Sequence, residues 1–273
     1  MTLLSRMHRA AGVFLVLFLL AGCASSPEDA TEGPQVYDPI EPVNRVVFAM
    51  NDAVDTIVLQ PTAFVYKNAV PDPIQDMVRN FLLWLRSPVV VANSLLQGDT
   101  ENAGSATRQF FVNAVTAGLI DWGDGLGWGY RDEDFGQTLG SYGVAGGPYL
   151  VVPLIGPSNG RDIVGTVVDI FFDPLTYLVS GPGARNAITI ARGTGEAVDF
   201  RARNYEGIND LKASSVDYYA RLRSIYLQRR ESEIRNGQPP KGVQSADGSE
   251  EFQNFEPSDR PQSVTGELPA NAN

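Results

Sequence analysis

The first 23 residues decide what the rest of the chain can use to fold. Arg6, His8 and Arg9 make a basic start, and Ala10 to Gly22 is an almost unbroken apolar run. That run has the length of a signal-peptide h-region and is short for a membrane span, which takes about 20 apolar residues. It closes on Leu20-Ala21-Gly22-Cys23, and Cys23 is the only cysteine in the 273 residues. Residues 1–22 therefore read as a signal peptide. With one cysteine no internal disulfide can form, even in an oxidising compartment, so packing and hydrogen bonds must hold the fold. The only histidine, His8, leaves with the leader. Hydrophobic residues, at 43%, suffice for a sizeable core.

The Leu20 to Cys23 segment resembles the lipobox of bacterial lipoproteins. Small residues there admit the signal peptidase, and the cysteine thiol accepts diacylglycerol. Cys23 is the expected lipidation site and mature N-terminus. Two or more acyl chains anchor firmly where one holds weakly. An ordinary signal peptide with an incidental cysteine is the alternative. Residue 24 is Ala rather than Asp, which among lipoproteins implies export to the outer membrane. A mature chain without histidine or free thiol has no Ser-His-Asp triad, no cysteine nucleophile and none of the usual zinc sites. No G-x-x-x-x-G-K-[ST] loop is present either. Carboxylate-pair hydrolysis and oxygen-ligated Ca²⁺ or Mg²⁺ stay formally open, but the expectation is a protein that is not an enzyme and has no cofactor or metal. The net charge of −11 makes sequence-independent nucleic-acid binding a poor fit.

Residues 23–37 read as a lipidated flexible tether, small, polar and proline-containing from Ala24 to Val36. A single mostly helical domain is expected over 38–235. Asp38-Pro39-Ile40-Glu41 looks like a helix start, with Asp38 as N-cap. Ile40, Val43, Val47, Met50, Val54 and Ile57 then recur at spacings of three and four, one apolar helix face. Asp72-Pro73 opens a helix bearing Ile74, Met77, Val78, Phe81, Leu82 and Leu85. Ser87-Pro88 is expected to end it and to open a short helix that stops at Gly98. Asp99 or Thr100 begins another, ended by Gly118. Gly118 to Gly165 holds 13 of the 27 glycines, which argues for irregular loops and a short strand pair near Tyr149 to Pro153. Ser158 is expected to cap a very apolar helix that ends at Asp173-Pro174. Ala184 to Arg235 reads as one or two longer helices. Residues 236–273, polar, acidic and proline-containing, read as a disordered tail.

Several segments together resemble one family. Phe135-Gly136-Gln137-Thr138-Leu139-Gly140-Ser141-Tyr142-Gly143-Val144, then Gly147-Pro148-Tyr149, then Pro153-Leu154-Ile155-Gly156-Pro157-Ser158 with Arg161-Asp162, are similar to the MlaA (VacJ) lipoproteins. Asp38 to Arg45, Val70 to Pro73, Arg79-Asn80-Phe81, Leu95 to Asp99 and Arg108 to Asn113 agree in order and approximate spacing. The resemblance runs from about Asp38 to Arg230. It implies a helical ring lying in the outer membrane, with trimeric porins as partners. It further implies an amphipathic channel that removes misplaced phospholipid from the outer leaflet and passes it to a soluble periplasmic carrier. Candidate channel or lipid-contact residues are Gly136, Gly140, Tyr142, Gly143, Gly147 and Tyr149.

The residues are compatible with such a task. A two-tailed lipid in water exposes about thirty methylenes at about 0.8 kcal/mol each, on the order of 20 kcal/mol. Covering those tails takes an apolar surface with a polar lane, not a nucleophile. A scaffolding lipoprotein that binds porins without moving lipid is a second reading, and a carboxylate-based envelope hydrolase a third. The Gly123, Gly125, Gly127, Gly129 run lacks the preceding strand of a dinucleotide loop and reads as a turn. Asp121, Asp124, Asp132, Glu133 and Asp134 do not fit the EF-hand register. Trp122, Trp128 and Tyr130 suit either a lipid headgroup level or ordinary packing. Tyr218 to Arg230 suits a partner contact or a helix packed on the body, and Arg161-Asp162 a helix-start ion pair.

Overall fold

The computed structural model describes residues 37–238. The expected signal peptide, Cys23, the tether before Tyr37 and the tail beyond Gln238 lie outside the described residues. The first described helix, α1, Glu41–Val54, runs through a π-helical segment, Asp55–Leu59, into α2, Gln60–Ala69. The wide turn falls where Pro61 removes one backbone donor, so the helix continues past a residue that would otherwise break it. Asp38 is not the N-cap of α1. Ile40 holds that position without a side-chain bond, because the Asp38 carboxylate is taken by Asn44, Tyr219 and Arg223.

Helix α3, Asp72–Leu96, runs straight through Pro88, where the sequence predicted a break. Burial overrides propensity here. Ser87, Val89, Val90, Asn93 and Ser94 are all buried, and Ser87 Oγ donates back to the Leu83 carbonyl at 3.1 Å. Helix α4, Thr100–Asn113, starts as expected at Asp99, whose side chain accepts from Asn102 N. It ends in a 3-10 turn, Ala114–Thr116, and Gly118 at φ +77 packs on the Trp84 ring. That ring stacks on Phe110 at 5.4 Å.

The Gly-rich stretch is largely irregular. Two short helices interrupt it, α5, Trp122–Gly125, and α6, Phe135–Ser141, capped by Asp121 and Asp134. The hairpin is present: β1, Tyr149–Val152, pairs antiparallel with β2, Gly156–Asn159, setting Tyr149 opposite Asn159. Asn159, not Ser158, caps α7, Gly160–Phe172, and Ser158 is buried in β2. After α8, Leu175–Leu178, three helices complete the described residues where one or two were expected: α9, Pro182–Arg203, α10, Tyr205–Ser214, and α11, Tyr218–Ile234.

Packing runs in a circuit. β1 lies on α1, β2 on α7, α7 and α6 on α3, α3 on α9, and α9 on α2, which continues α1. Helix α11 braces α6 and β2, and α4 packs on α3. Tyr149, Val151 and Tyr219 form a small apolar core with Val47, Phe48 and Tyr226 around them.

Candidate functional site

The distribution of polarity is inverted relative to a water-soluble domain. Among the described residues, sixteen polar side chains are buried against nine apolar ones. Large apolar side chains stand at the surface instead. On α1, the π segment and α2 they include Val43, Val46, Ile57, Val58, Phe64 and Val65, and on α7 Val164, Val167, Ile170 and Phe171. Of the predicted apolar face of α1, only Val47 packs against the core, while Ile57 is 74% exposed. A surface of this kind calls for an apolar neighbour. No helix among the described residues is long and apolar enough to cross a membrane.

The interior is held by charge. Arg230 of α11 donates to Asp134 at 2.6 Å and to Asp162 at 2.8 Å. Asp162 also accepts from Arg161 at 3.0 Å, Asn159 at 2.8 Å and the Tyr226 hydroxyl at 2.6 Å. Burial pushes the Asp134 carboxyl up, but the Arg230 guanidinium outweighs it and holds the group at about 2. Nearby, Glu133 is buried with Gln97 as its donor at 2.8 Å, and burial raises it to about 7. Asp169 reaches in from α7 to Asn93 at 2.8 Å.

The six candidate residues from the sequence do not converge on one place. Gly136 and Gly140 serve close packing. A Cβ at Gly136 would lie 2.6 Å from both Arg230 Nη2 and Asp162 Oδ1, and one at Gly140 would lie 2.8 Å from Ile234. Tyr149 is buried in the core, and burial raises its hydroxyl. Gly143 and Gly147 take φ of +84 and +72 in open turns. Tyr142 is exposed, its hydroxyl donating to the Leu96 carbonyl. Three of the acidic residues have charged or amide partners: Asp121 accepts from Gln109 and Asn113, Asp132 pairs with Arg86 and Asp134 with Arg230. No metal-binding group of three or more side chains occurs among the described residues. Trp122 is exposed, Trp128 lies under Arg108, and Tyr130 meets Ser87. Arg161 and Asp162 do form an ion pair at the start of α7.

A cleft of about 680 Å³ opens between α3, α8 and α9. Its α3 wall is Ile74, Met77, Val78, Phe81, Leu82 and Leu85, the same spacing that marked the helix in the sequence. Leu119, Leu175, Ile188 and Ala191 face them, with Arg192 as the charged residue of the lining. Arg192 pairs with Asp173 at 2.7 Å and with Glu196 at 2.9 Å. The volume falls within the roughly 300–1,000 Å³ of small-molecule sites. Such a cleft can cover a hydrocarbon chain and offer one charged contact at its edge. Sequence reasoning found the α3 wall but missed Arg192. Its signal was a lone arginine between the small residues Ala191 and Gly193 on a helix, with Glu196 one turn on.

A family model for the MlaA lipoproteins matches residues 36–233. The chain belongs to the MlaA lipoprotein family. A relative in Escherichia coli K12, the intermembrane phospholipid transport system lipoprotein MlaA, is 32% identical over 236 residues, spanning 84% of this chain and 89% of that protein. The protein of the same name in Haemophilus influenzae is 31% identical over 80% of this chain and 87% of its own length. An uncharacterised protein of Rickettsia typhi is 33% identical over 74% of this chain and 79% of its own. A solved chain from work on the structural basis for maintenance of bacterial outer membrane lipid asymmetry superposes with a TM-score of 0.65 at 29% identity. It covers 72% of this chain and 98% of the solved one. The MlaA family match begins at residue 36, after Cys23.

Proposed function

We propose that this protein is a non-enzymatic outer-membrane lipoprotein that removes misplaced phospholipid from the outer leaflet. The lipid travels along an amphipathic passage enclosed by the helical circuit and is handed to a soluble periplasmic carrier. Trimeric porins flank the protein in the membrane. The observation that carries this reading is the inverted polarity: apolar side chains outward, charge inward, and an apolar cleft with a cationic edge. An outward apolar band lets the body lie among acyl chains without spanning them. The cleft takes over the tails, whose hydration would cost on the order of 20 kcal/mol for a whole lipid. The E. coli relative is named for intermembrane phospholipid transport, and the solved relative comes from work on lipid asymmetry. Both names support phospholipid as the cargo.

The test is a deletion strain complemented with wild type or with Ala191→Phe. Deletion should let phospholipid accumulate in the outer leaflet and make cells sensitive to detergent and chelator. Ala191 lines the cleft and is exposed, so phenylalanine fills the cleft without crowding the interior. That variant should be abundant and folded yet fail to restore asymmetry. An unchanged outer leaflet in the deletion strain would discard transport and leave a scaffolding role.

A further inference from the structure

The charged edge of the cleft carries information about the headgroup. Arg192 lies on α9 with Ile188, Ala191 and Gly195. Its guanidinium is gripped from two sides. Nη1 donates to Asp173 Oδ2 at 2.7 Å and Nε donates to Glu196 Oε1 at 2.9 Å. Asp173 follows the last residue of α7, and its other oxygen accepts the Leu175 N–H at 2.9 Å, which fixes the carboxylate. Glu196 stands one turn along α9 with 45% of its side chain exposed. Among the described residues, Nη2 of Arg192 has no protein partner.

Two carboxylates around one guanidinium leave the trio with one net negative charge. A headgroup that carries only a phosphate therefore meets one free donor edge and two nearby anions. A headgroup that carries a phosphate and a primary ammonium meets complementary charge for both. Its phosphate oxygen accepts from Nη2, and its ammonium donates to the remaining lone pairs of Glu196 and Asp173. The apolar walls meanwhile hold the tails. The same trio rejects one class of lipid and accepts the other, which is how specificity arises as a difference of two affinities.

We propose that Asp173, Arg192 and Glu196 read the lipid headgroup, selecting zwitterionic, amine-bearing phospholipid over anionic phosphatidylglycerol. This rests on the transport reading above. The experiment uses the full-length lipidated protein, extracted in mild detergent and stripped of lipid by exchange. It is then given equal amounts of phosphatidylethanolamine and phosphatidylglycerol, and the retained lipid is quantified by mass spectrometry. Wild type should retain phosphatidylethanolamine about tenfold over phosphatidylglycerol, the effect of one charge-assisted hydrogen bond. Glu196→Gln and Asp173→Asn should each draw that ratio toward one by admitting phosphatidylglycerol. Arg192→Gln should lower retention of both lipids, because the phosphate loses its donor. Circular dichroism and melting beside each measurement separate loss of binding from loss of fold. Equal retention by wild type overturns headgroup reading while leaving transport intact. A tenfold preference that survives in both carboxylate variants overturns the role of the trio. Retention of neither lipid by folded wild type would remove the transport reading and this one with it.

Discussion

Glu133 is a carboxyl with one amide donor, Gln97, and almost no contact with solvent. Burial raises it from 4.5 to about 7. A folded-state value above the unfolded one means that the fold binds the extra proton. The contribution is present below pH 4.5 and is lost as pH rises through about 7. Wild type should therefore lose up to about 3 kcal/mol between pH 5 and pH 8 from this group alone. Glu133→Gln keeps an acceptor for Gln97, so its melting temperature should exceed that of wild type at pH 8 and converge with it at pH 5. A melting difference independent of pH would contradict this. Gly165 makes a second case. A Cβ there would lie 2.3 Å from the Gly136 nitrogen and 2.7 Å from its Cα, backbone atoms that cannot swing aside. Gly165→Ala should cost about 1–3 kcal/mol by forcing α6 off α7, read as a lower melting temperature with the helical signal retained. The sequence singled out Gly136 as a candidate channel or lipid-contact residue. It did not reveal that the neighbours are Gly165, Arg230 and Asp162, because those contacts join segments distant in the chain.

At the scale of elements, α1 holds the hairpin as a third strand would. Asn44 donates to the Tyr149 carbonyl at 2.9 Å and accepts the Val151 N–H at 3.0 Å. Two turns on, Asn51 donates to the Val152 carbonyl at 3.0 Å and accepts the Leu154 N–H at 2.8 Å. Asparagine is a poor helix former, so two of them seven apart on one helix mark a job done by side-chain amides. Asn44→Ala leaves a buried carbonyl and N–H unsatisfied and should cost about 1–3 kcal/mol for each. Hydrogen exchange at the Val151 amide should speed up in that variant, and an unchanged rate would refute the pairing. Helix α11 is tied in by Arg230. Arg230→Met leaves the buried Asp134 without its cation and Asp162 with Arg161 alone, at a cost of about 3–5 kcal/mol near neutral pH. Asp134 is depressed from 3.8 to about 2, so its share is present above pH 3.8 and fades as pH falls through 2. The gap between variant and wild type should narrow in acid, as measured by denaturant unfolding across that range. Element positions were legible where a 3.6-residue apolar period persisted, as in α3 from Ile74 to Leu85. Pro88 misled because local propensity yields to burial.

For the whole molecule, composition concealed the main fact. A hydrophobic content of 43% fits an ordinary soluble domain, and the spacing in α1 locates an apolar face without saying what that face meets. The face meets the exterior, because the inner sides of the circuit are occupied by Asp, Arg, Asn and Gln side chains that satisfy one another. The cleft was half legible: its α3 wall lies in one continuous stretch, whereas Arg192 and Asp173 come together only through the turn after α7. The inverted interior also fixes how the protein responds to temperature. Exposing apolar surface on unfolding raises heat capacity and exposing polar surface lowers it, which gives ordinary domains about 12–15 cal/mol/K per residue. With more polar than apolar side chains buried, unfolding in detergent should show a heat-capacity increment well below that range by calorimetry. Its stability curve should then be shallow, so that a cell growing in the cold and one growing in the warm carry much the same margin.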